Sequence, residues 1–163
     1  MQQAPTPPPQ RSAQGGRRTL DAQWFSYVSQ ISDVGDGGGL AQDGLFNRGI
    51  DEFNEGRFQA SHETWEAIWI EASYPQRLFL LSLTKLGAGF AHALRRNPKG
   101  VRRLLEDAIR LAGPFGPRYA GLDIERLIAD VSAWLALGVY DPPFPQIVRA
   151  RPEVVGGLPR AAP

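Results

Sequence analysis

The chain has 163 residues, enough for one folded domain with tails. Its 18 Lys and Arg residues almost balance its 17 Asp and Glu residues, so its net charge creates no strong field that would attract nucleic acid or an anionic membrane. Cysteine is absent, which excludes disulfides and thiolate metal sites and fits a reducing compartment.

The N-terminal residues, 1–44, have the composition of a low-complexity tail. Residues 1–19 are rich in Pro, Gln and Gly and bury too little apolar surface to offset their ordering entropy, so we expect them to be disordered. They contain no apolar core typical of a secretory signal, and we expect a cytoplasmic protein. Residues 20–31 have the apolar spacing of a short amphipathic helix, and the glycine-rich residues 33–44 are expected to form a flexible linker.

Residues 45–137 have the periodicity of consecutive α-helices and contain no convincing strand, which predicts an all-α domain. Asn97 and Asp123 are typical helix N-caps, and Gly56 and Gly138 are typical helix ends. The predicted helices cover residues 45–55, residues 58–73, residues 76–96, the segment from Pro98 to Gly113-Pro114, and the segment from Asp123 to Gly138. Very short turns join the first helix to the second and the third to the fourth, so each pair should be antiparallel.

These elements predict antiparallel helical hairpins in a compact bundle with Pro/Gly-rich tails. The spacing of Gly49, Gly56 and Phe58 is loosely tetratricopeptide-like, although most positions of a true repeat are missing. Residues 138–163 contain six prolines, which exclude a regular element, and we expect a disordered Pro-rich tail.

The apolar stretch from Leu78 to Leu94 is close to the lower length limit for a membrane span. Lys85 and His92 interrupt it, and charged residues inside a span are costly. We therefore interpret the stretch as the central helix of a soluble domain and expect no membrane partner.

The pattern best suited to catalysis or ligand binding is the pair His62 and Glu66, which lie four positions apart on one predicted helix. Residues at this spacing stack on the same helix face. Trp65 and Trp69 fall in the same arc of the helix, so we expect them to form the walls of a polar pocket around the pair.

The second histidine, His92, lies on the next helix in one stripe with Lys85 and Arg96. The adjacent small residues Gly87-Ala88-Gly89 are poor helix formers, and they would allow another backbone or a ligand to approach closely. If this helix packs beside the preceding one, His92 meets the His62–Glu66 pair.

Two imidazoles and a carboxylate are ligand types that bind zinc, iron or manganese. We therefore interpret His62, Glu66 and His92 as candidate ligands of a divalent metal ion, with an open position suited to metal-assisted hydrolysis. An alternative is a structural cluster in which Glu66 pairs with Lys85 or Arg96. A further alternative is an anion site, because these two cations oppose a divalent metal.

A non-enzymatic interaction module is the competing interpretation of the whole domain. Stacked helical hairpins commonly present a groove to a peptide, a partner protein or a second copy of the chain. Residues 95–103 are basic, but they contain too few aromatic residues for a stacking platform, so we interpret them as a solvated turn and expect no nucleic-acid partner.

The ordered combination of these motifs resembles the DUF309 family of uncharacterised small helical proteins from bacteria and archaea. The resemblance covers about residues 45–137 and is carried by Phe53-Asn54-Glu55-Gly56-Arg57-Phe58, His62-Glu63-x-x-Glu66-x-x-Trp69, Arg77, Gly87, His92, Arg96-Asn97-x-x-Gly100 and Tyr119-x-Gly121-Leu122-Asp123. It implies that the His-x-x-x-Glu-x-x-Trp motif binds metal. The chain departs from the family pattern at Ser61, where Ala is usual, and at Arg96, where the usual Arg-Gly-Asn has glycine.

Overall fold

The computed structural model describes residues 3–11 and 16–151, together with residues 154–155 and 158–159. The described part of the chain is mostly helical, which confirms the all-α prediction. The helices are α1 (Arg17–Gln30), α2 (Gly44–Asn54), α3 (Phe58–Trp69), α4 (Gln76–Leu94), α5 (Pro98–Ala112) and α6 (Ile124–Leu137), with 3-10 turns at Gly38–Gln42 and Gly113–Phe115. Two-residue strands pair antiparallel, β1 (Arg118–Tyr119) with β2 (Leu122–Asp123) and β3 (Val154–Val155) with β4 (Leu158–Pro159).

Side-chain caps fix where three of the helices begin. Asp43 accepts hydrogen bonds from two backbone amides at the start of α2. Asn97 accepts one from Gly100 at the start of α5, and Asp123 accepts one from Arg126 at the start of α6. Each cap satisfies amide groups that have no partner inside the helix. Asn97 and Asp123 therefore act as predicted.

Aromatic side chains fill the centre of the bundle. Helices α2 to α5 pack in chain order as antiparallel neighbours, and α6 packs against α5. The Phe90 ring on α4 is fully buried, and its centre lies 5.4 Å from that of Phe53, 5.2 Å from that of Phe58 and 4.9 Å from that of Trp134. One ring on α4 therefore joins α2, α3 and α6.

Glycines on α4 let the neighbouring helices approach closely. A Cβ atom at Gly87 would lie 2.8 Å from Ser61 Oγ and 3.1 Å from the backbone nitrogen of His62. A Cβ atom at Gly89 would lie 2.5 Å from a methyl group of Leu105 on α5. The small residues of α4 therefore serve close packing with α3 on one side and with α5 on the other.

Two segments expected to be loose are held against the bundle. In residues 33–44, the backbone oxygen of Gly37 accepts a hydrogen bond of 2.7 Å from the Gln76 side chain. In residues 138–151, the Asn54 side chain makes two hydrogen bonds to the backbone of Ile147, at 2.8 and 2.9 Å. No helix forms over residues 138–151, but the two-residue strands β3 and β4 pair further along the tail, where no regular element was expected.

The N-terminal residues also make contacts where disorder was expected. The Gln10 side chain bonds both the backbone N–H and the carbonyl of Tyr74, at 2.7 and 2.9 Å. The Pro9 carbonyl accepts a hydrogen bond from the Trp24 indole. The predicted short helix at residues 20–31 is present as α1 and begins three residues earlier. The rest of the tail that was expected to be disordered, residues 152–153, 156–157 and 160–163, lies outside the described residues.

In the described residues, no helix has both the length and the apolar character needed to cross a membrane.

Candidate functional site

His62 and Glu66 form an ordered pair on the outer face of α3. The distance from His62 Nε2 to Glu66 Oε2 is 3.0 Å, and the two side chains are 24% and 52% exposed. His62 Nδ1 lies 3.0 Å from the backbone oxygen of Thr84 on α4. A carbonyl oxygen only accepts hydrogen bonds, so Nδ1 carries a proton and donates it to Thr84. The face that bears Nε2 and Glu66 is open to solvent.

This geometry fits either an ion pair of a protonated His62 ring with Glu66 or a metal ion held between the two side chains. With a proton on Nδ1, a neutral His62 ring would direct the lone pair of Nε2 at the lone pairs of a carboxylate. That contact is favourable only when a second proton or a metal ion lies between the nitrogen and the oxygen. The pair predicted from the sequence is therefore assembled, and its orientation is set by α4.

The two tryptophans have different roles from the pocket walls that were expected. Trp65 is fully buried in the core, and its indole N–H donates to the backbone oxygen of Phe46 at 3.2 Å. Trp69 is half-buried, and its ring contacts the guanidinium of Arg77 with 5.0 Å from the Cζ atom to the ring centre. Only Trp69 continues the outer stripe of His62 and Glu66, since it lies three residues after Glu66.

His92 does not join the His62–Glu66 pair. Its Nδ1 accepts a hydrogen bond of 3.1 Å from the Asn97 side chain, and its ring lies over Gly100, where a Cβ atom would be 2.7 Å from Cγ. His92 therefore faces α5, whereas Thr84, the partner of His62, lies eight residues earlier, about 12 Å along the helix axis. Within the described ranges, no three His, Asp or Glu side chains form a group suited to hold a metal ion.

Lys85 makes an ion pair with Asp107 on α5 instead of contributing to a pocket with Glu66. Asp107 also accepts a hydrogen bond of 2.6 Å from Arg110. Burial alone would raise the pKa of Asp107, but hydrogen bonds and charge from Lys85 and Arg110 outweigh it, so the pKa is lowered. Lys85, which was expected to oppose a bound metal ion, therefore has its charge balanced by Asp107.

Asp107→Asn should lower the free energy of unfolding at neutral pH by about 1 kcal/mol, the scale of a partly exposed charged hydrogen-bond pair. Because the folded-state pKa of Asp107 is lowered, its stabilisation is complete above the ordinary Asp value of about 3.9 and is lost as the pH falls through the folded value. Urea unfolding at pH 7 and at about pH 3 measures the difference. Asp130→Asn, in the more exposed pair with Arg126, is the control. A gap between wild type and Asp107→Asn that is equal at both pH values would contradict this assignment.

Arg96 lies in the α4–α5 turn, away from the His62–Glu66 pair. Its φ angle is +56°, in the left-handed region where a glycine would be less strained. Arg96 lines a surface cavity of about 280 Å³ together with Pro98, Tyr140 and Asp141, and neither histidine borders it.

Sequence reasoning gave no role to Arg77, although its position could have been inferred. The hydrogen bond between His62 and Thr84 sets the antiparallel register of α3 and α4. Trp69 precedes the centre of the turn by as many residues as Arg77 follows it, so the same register brings these two together. Periodicity within one helix could not reveal a contact that depends on the turn between two helices.

A family model described as "Domain of unknown function (DUF309)" matches residues 46–104. This range includes His62, Glu66 and Trp69 on α3, as well as Arg77 and His92 on α4. No curated protein matches the chain.

Proposed function

We propose that this chain, whose residues 46–104 match the DUF309 family model, binds a divalent metal ion through His62 Nε2 and the Glu66 carboxylate. The main support is the hydrogen bond from His62 Nδ1 to the Thr84 carbonyl. Histidines that ligate metals almost always donate their other ring N–H to a carbonyl or carboxylate, which fixes the ring and leaves the opposite nitrogen free to ligate. His62 is arranged in this way.

The separation of the two ligand atoms also fits a metal. With metal–nitrogen and metal–oxygen bonds of about 2.1 Å, two adjacent ligand atoms lie about 3.0 Å apart at an octahedral ion and about 3.4 Å apart at a tetrahedral one. His62 Nε2 and Glu66 Oε2 are 3.0 Å apart. Imidazole with carboxylate suits zinc, iron or manganese.

Two protein ligands leave the remaining coordination positions to water, substrate or a side chain of another molecule. A metal ion held this way would supply an acidic bound water for hydrolysis. The residues of the chain would position the ion, and Glu66, as the more exposed partner, would face an incoming molecule.

The titration of metal-free, untagged full-length protein with Zn²⁺ or Co²⁺ tests the proposal. We expect one ion per chain, with affinity reduced by at least about 100-fold in His62→Ala, because removing a ligand should cost more than removing an outer hydrogen-bond partner. Calorimetry measures the affinity, and the visible spectrum of bound Co²⁺ reports the ligands. Far-UV circular dichroism checks that the variant is folded.

His92→Ala is the matched control, because His92 is the chain's only other histidine and faces α5. This variant should bind metal as wild type does. Equal affinity of His62→Ala and wild type, or equal losses in both histidine variants, would reject the site.

The competing function, a non-enzymatic interaction module, is favoured by one separate observation. The cavity beside Arg96 is bordered by neither histidine, and Val139 on its wall is 64% exposed. Leu137, two residues earlier, is 70% exposed. A partner protein or a second copy docked there would leave the His62–Glu66 pair free, so a wild type that binds no metal would favour this function.

A further inference from the structure

Three buried nitrogen atoms at the junction of α3 and α4 have no hydrogen-bond partner among the described residues. They are Trp69 Nε1, Arg77 Nε and Arg77 Nη2. A buried N–H without a partner costs about 1–3 kcal/mol, and more when the group is charged. Such a cluster is an exception to the rule that buried polar groups are satisfied, and it indicates that a group other than the contacts among the described residues completes it.

The two nitrogens of Arg77 are a specific pair. Nε and Nη2 lie on the same edge of the planar guanidinium and carry two parallel N–H bonds, both buried. This edge matches the two oxygens of a carboxylate or of a phosphate group, and such bidentate contacts are among the strongest hydrogen bonds in proteins. The unsatisfied donors therefore have the form of an oxyanion fork.

The charge around the fork is positive. The Arg17 guanidinium on α1 lies 5.4 Å from the centre of the same Trp69 ring that Arg77 contacts at 5.0 Å. No ion pair in the described part of the chain involves Arg17 or Arg77. Asp21, four residues after Arg17 on α1, is an acidic group nearby, and its carboxylate accepts the hydroxyl of Tyr74. Among the described residues, neither of the two guanidinium groups on this indole forms an ion pair with it.

We propose that Arg77, Trp69 and Arg17 bind the phosphate or carboxylate group of a ligand, with the Arg77 edge as the bidentate contact. Trp69 follows Glu66 by three residues, about 4.5 Å along the α3 axis, so the oxyanion would lie one turn from the His62–Glu66 pair. The site does not depend on a metal there. It also differs from the anion site considered from the sequence, because Lys85 is paired with Asp107 and Arg96 lies at another cavity.

The test measures binding of inorganic phosphate and of acetate to the full-length protein by calorimetry, with thermal unfolding in each anion and in sodium chloride of equal ionic strength. We expect wild type to bind one of the two anions and Arg77→Lys to bind it at least about tenfold more weakly, because lysine keeps the charge and loses the fork. Trp69→Phe keeps the ring and removes the indole N–H, and should weaken binding by a smaller factor. The preferred anion identifies the ligand group.

Phosphate also stabilises proteins in general by exclusion from their surface, so the specific effect is the difference between variants. Arg102→Lys, at an exposed position on α5, is the matched control and should behave as wild type. Arg17→Gln, at the exposed start of α1, removes the second positive charge and changes no residue of α3 or α4. The proposal is overturned if neither anion stabilises wild type beyond chloride, or if Arg77→Lys and Arg17→Gln both bind as tightly as wild type.

Discussion

Gly49→Ala should lower the free energy of unfolding by about 3 kcal/mol, because the Trp65 indole occupies the space where the new methyl group would lie. A Cβ atom at position 49 would be 2.2 Å from Trp65 Nε1, and Trp65 is fully buried. Helix propensity acts in the opposite direction, since alanine is favoured over glycine by about 1 kcal/mol inside a helix. The overpacking cost of about 1–3 kcal/mol, added to the loss of Trp65 packing, outweighs that gain.

Urea unfolding followed by circular dichroism measures the effect, and Gly44→Ala is the control. Gly44 is the exposed first residue of α2 and has nothing within 4 Å of its Cβ direction, so alanine there should be neutral or slightly stabilising. In a double variant, Trp65→Phe should reduce the additional cost of Gly49→Ala, because the smaller ring lacks the clashing nitrogen. A Gly49→Ala protein as stable as wild type would show that Trp65 does not lie over α2.

Phe90→Ala should lower the free energy of unfolding by about 3–5 kcal/mol, the range for deleting a buried aromatic ring. Phe90 is fully buried, and its ring contacts those of Phe53, Phe58, Trp134 and Phe144. The cavity left behind is bordered by side chains from several elements, and they cannot all move into it at once.

Leu94→Ala provides the comparison for Phe90→Ala. Leu94 lies one turn further along α4 and is 57% exposed, so its removal should cost less than about 0.5 kcal/mol. Both variants are compared by the urea midpoint at constant slope. Similar losses in the two would mean that Phe90 is not the centre of the core.

Local sequence signals predicted the helices well because their causes are local. Asn97 and Asp123 cap helices through their own side chains, and the predicted helix that begins at Pro98 is found there. The prediction for α3 extended four residues too far, to position 73, because the sequence signal used to end it was Pro75. The chain leaves the helix earlier, after Trp69.

The site could be predicted only as far as one helix determines it. Spacing along α3 was sufficient to pair His62 with Glu66, and the pair is present. Spacing along α4 placed His92 on a stripe, but it could not decide whether that stripe faces α3 or α5. Gly100 and Asn97 on the α5 side receive the His92 ring, and this choice depends on packing between helices.

The segments at both ends were the least predictable, for a related reason. The hydrogen bonds between Asn54 and Ile147 join residues 93 positions apart, and those between Gln10 and Tyr74 join residues 64 apart. Composition indicates that a segment cannot form its own core, but it carries no information about a distant surface that the segment can cover.

The contacts that α4 makes with His62 have a consequence for how the two helices can move. Thr84 binds the imidazole, and Gly87, almost one turn later, lies directly against the backbone at the same histidine. A sliding or rolling displacement of α3 would have to break the first contact and create a collision at the second. The position of the His62 ring is therefore coupled to the alignment of α3 and α4. A ligand that displaced the ring would also have to shift the contact between these two helices.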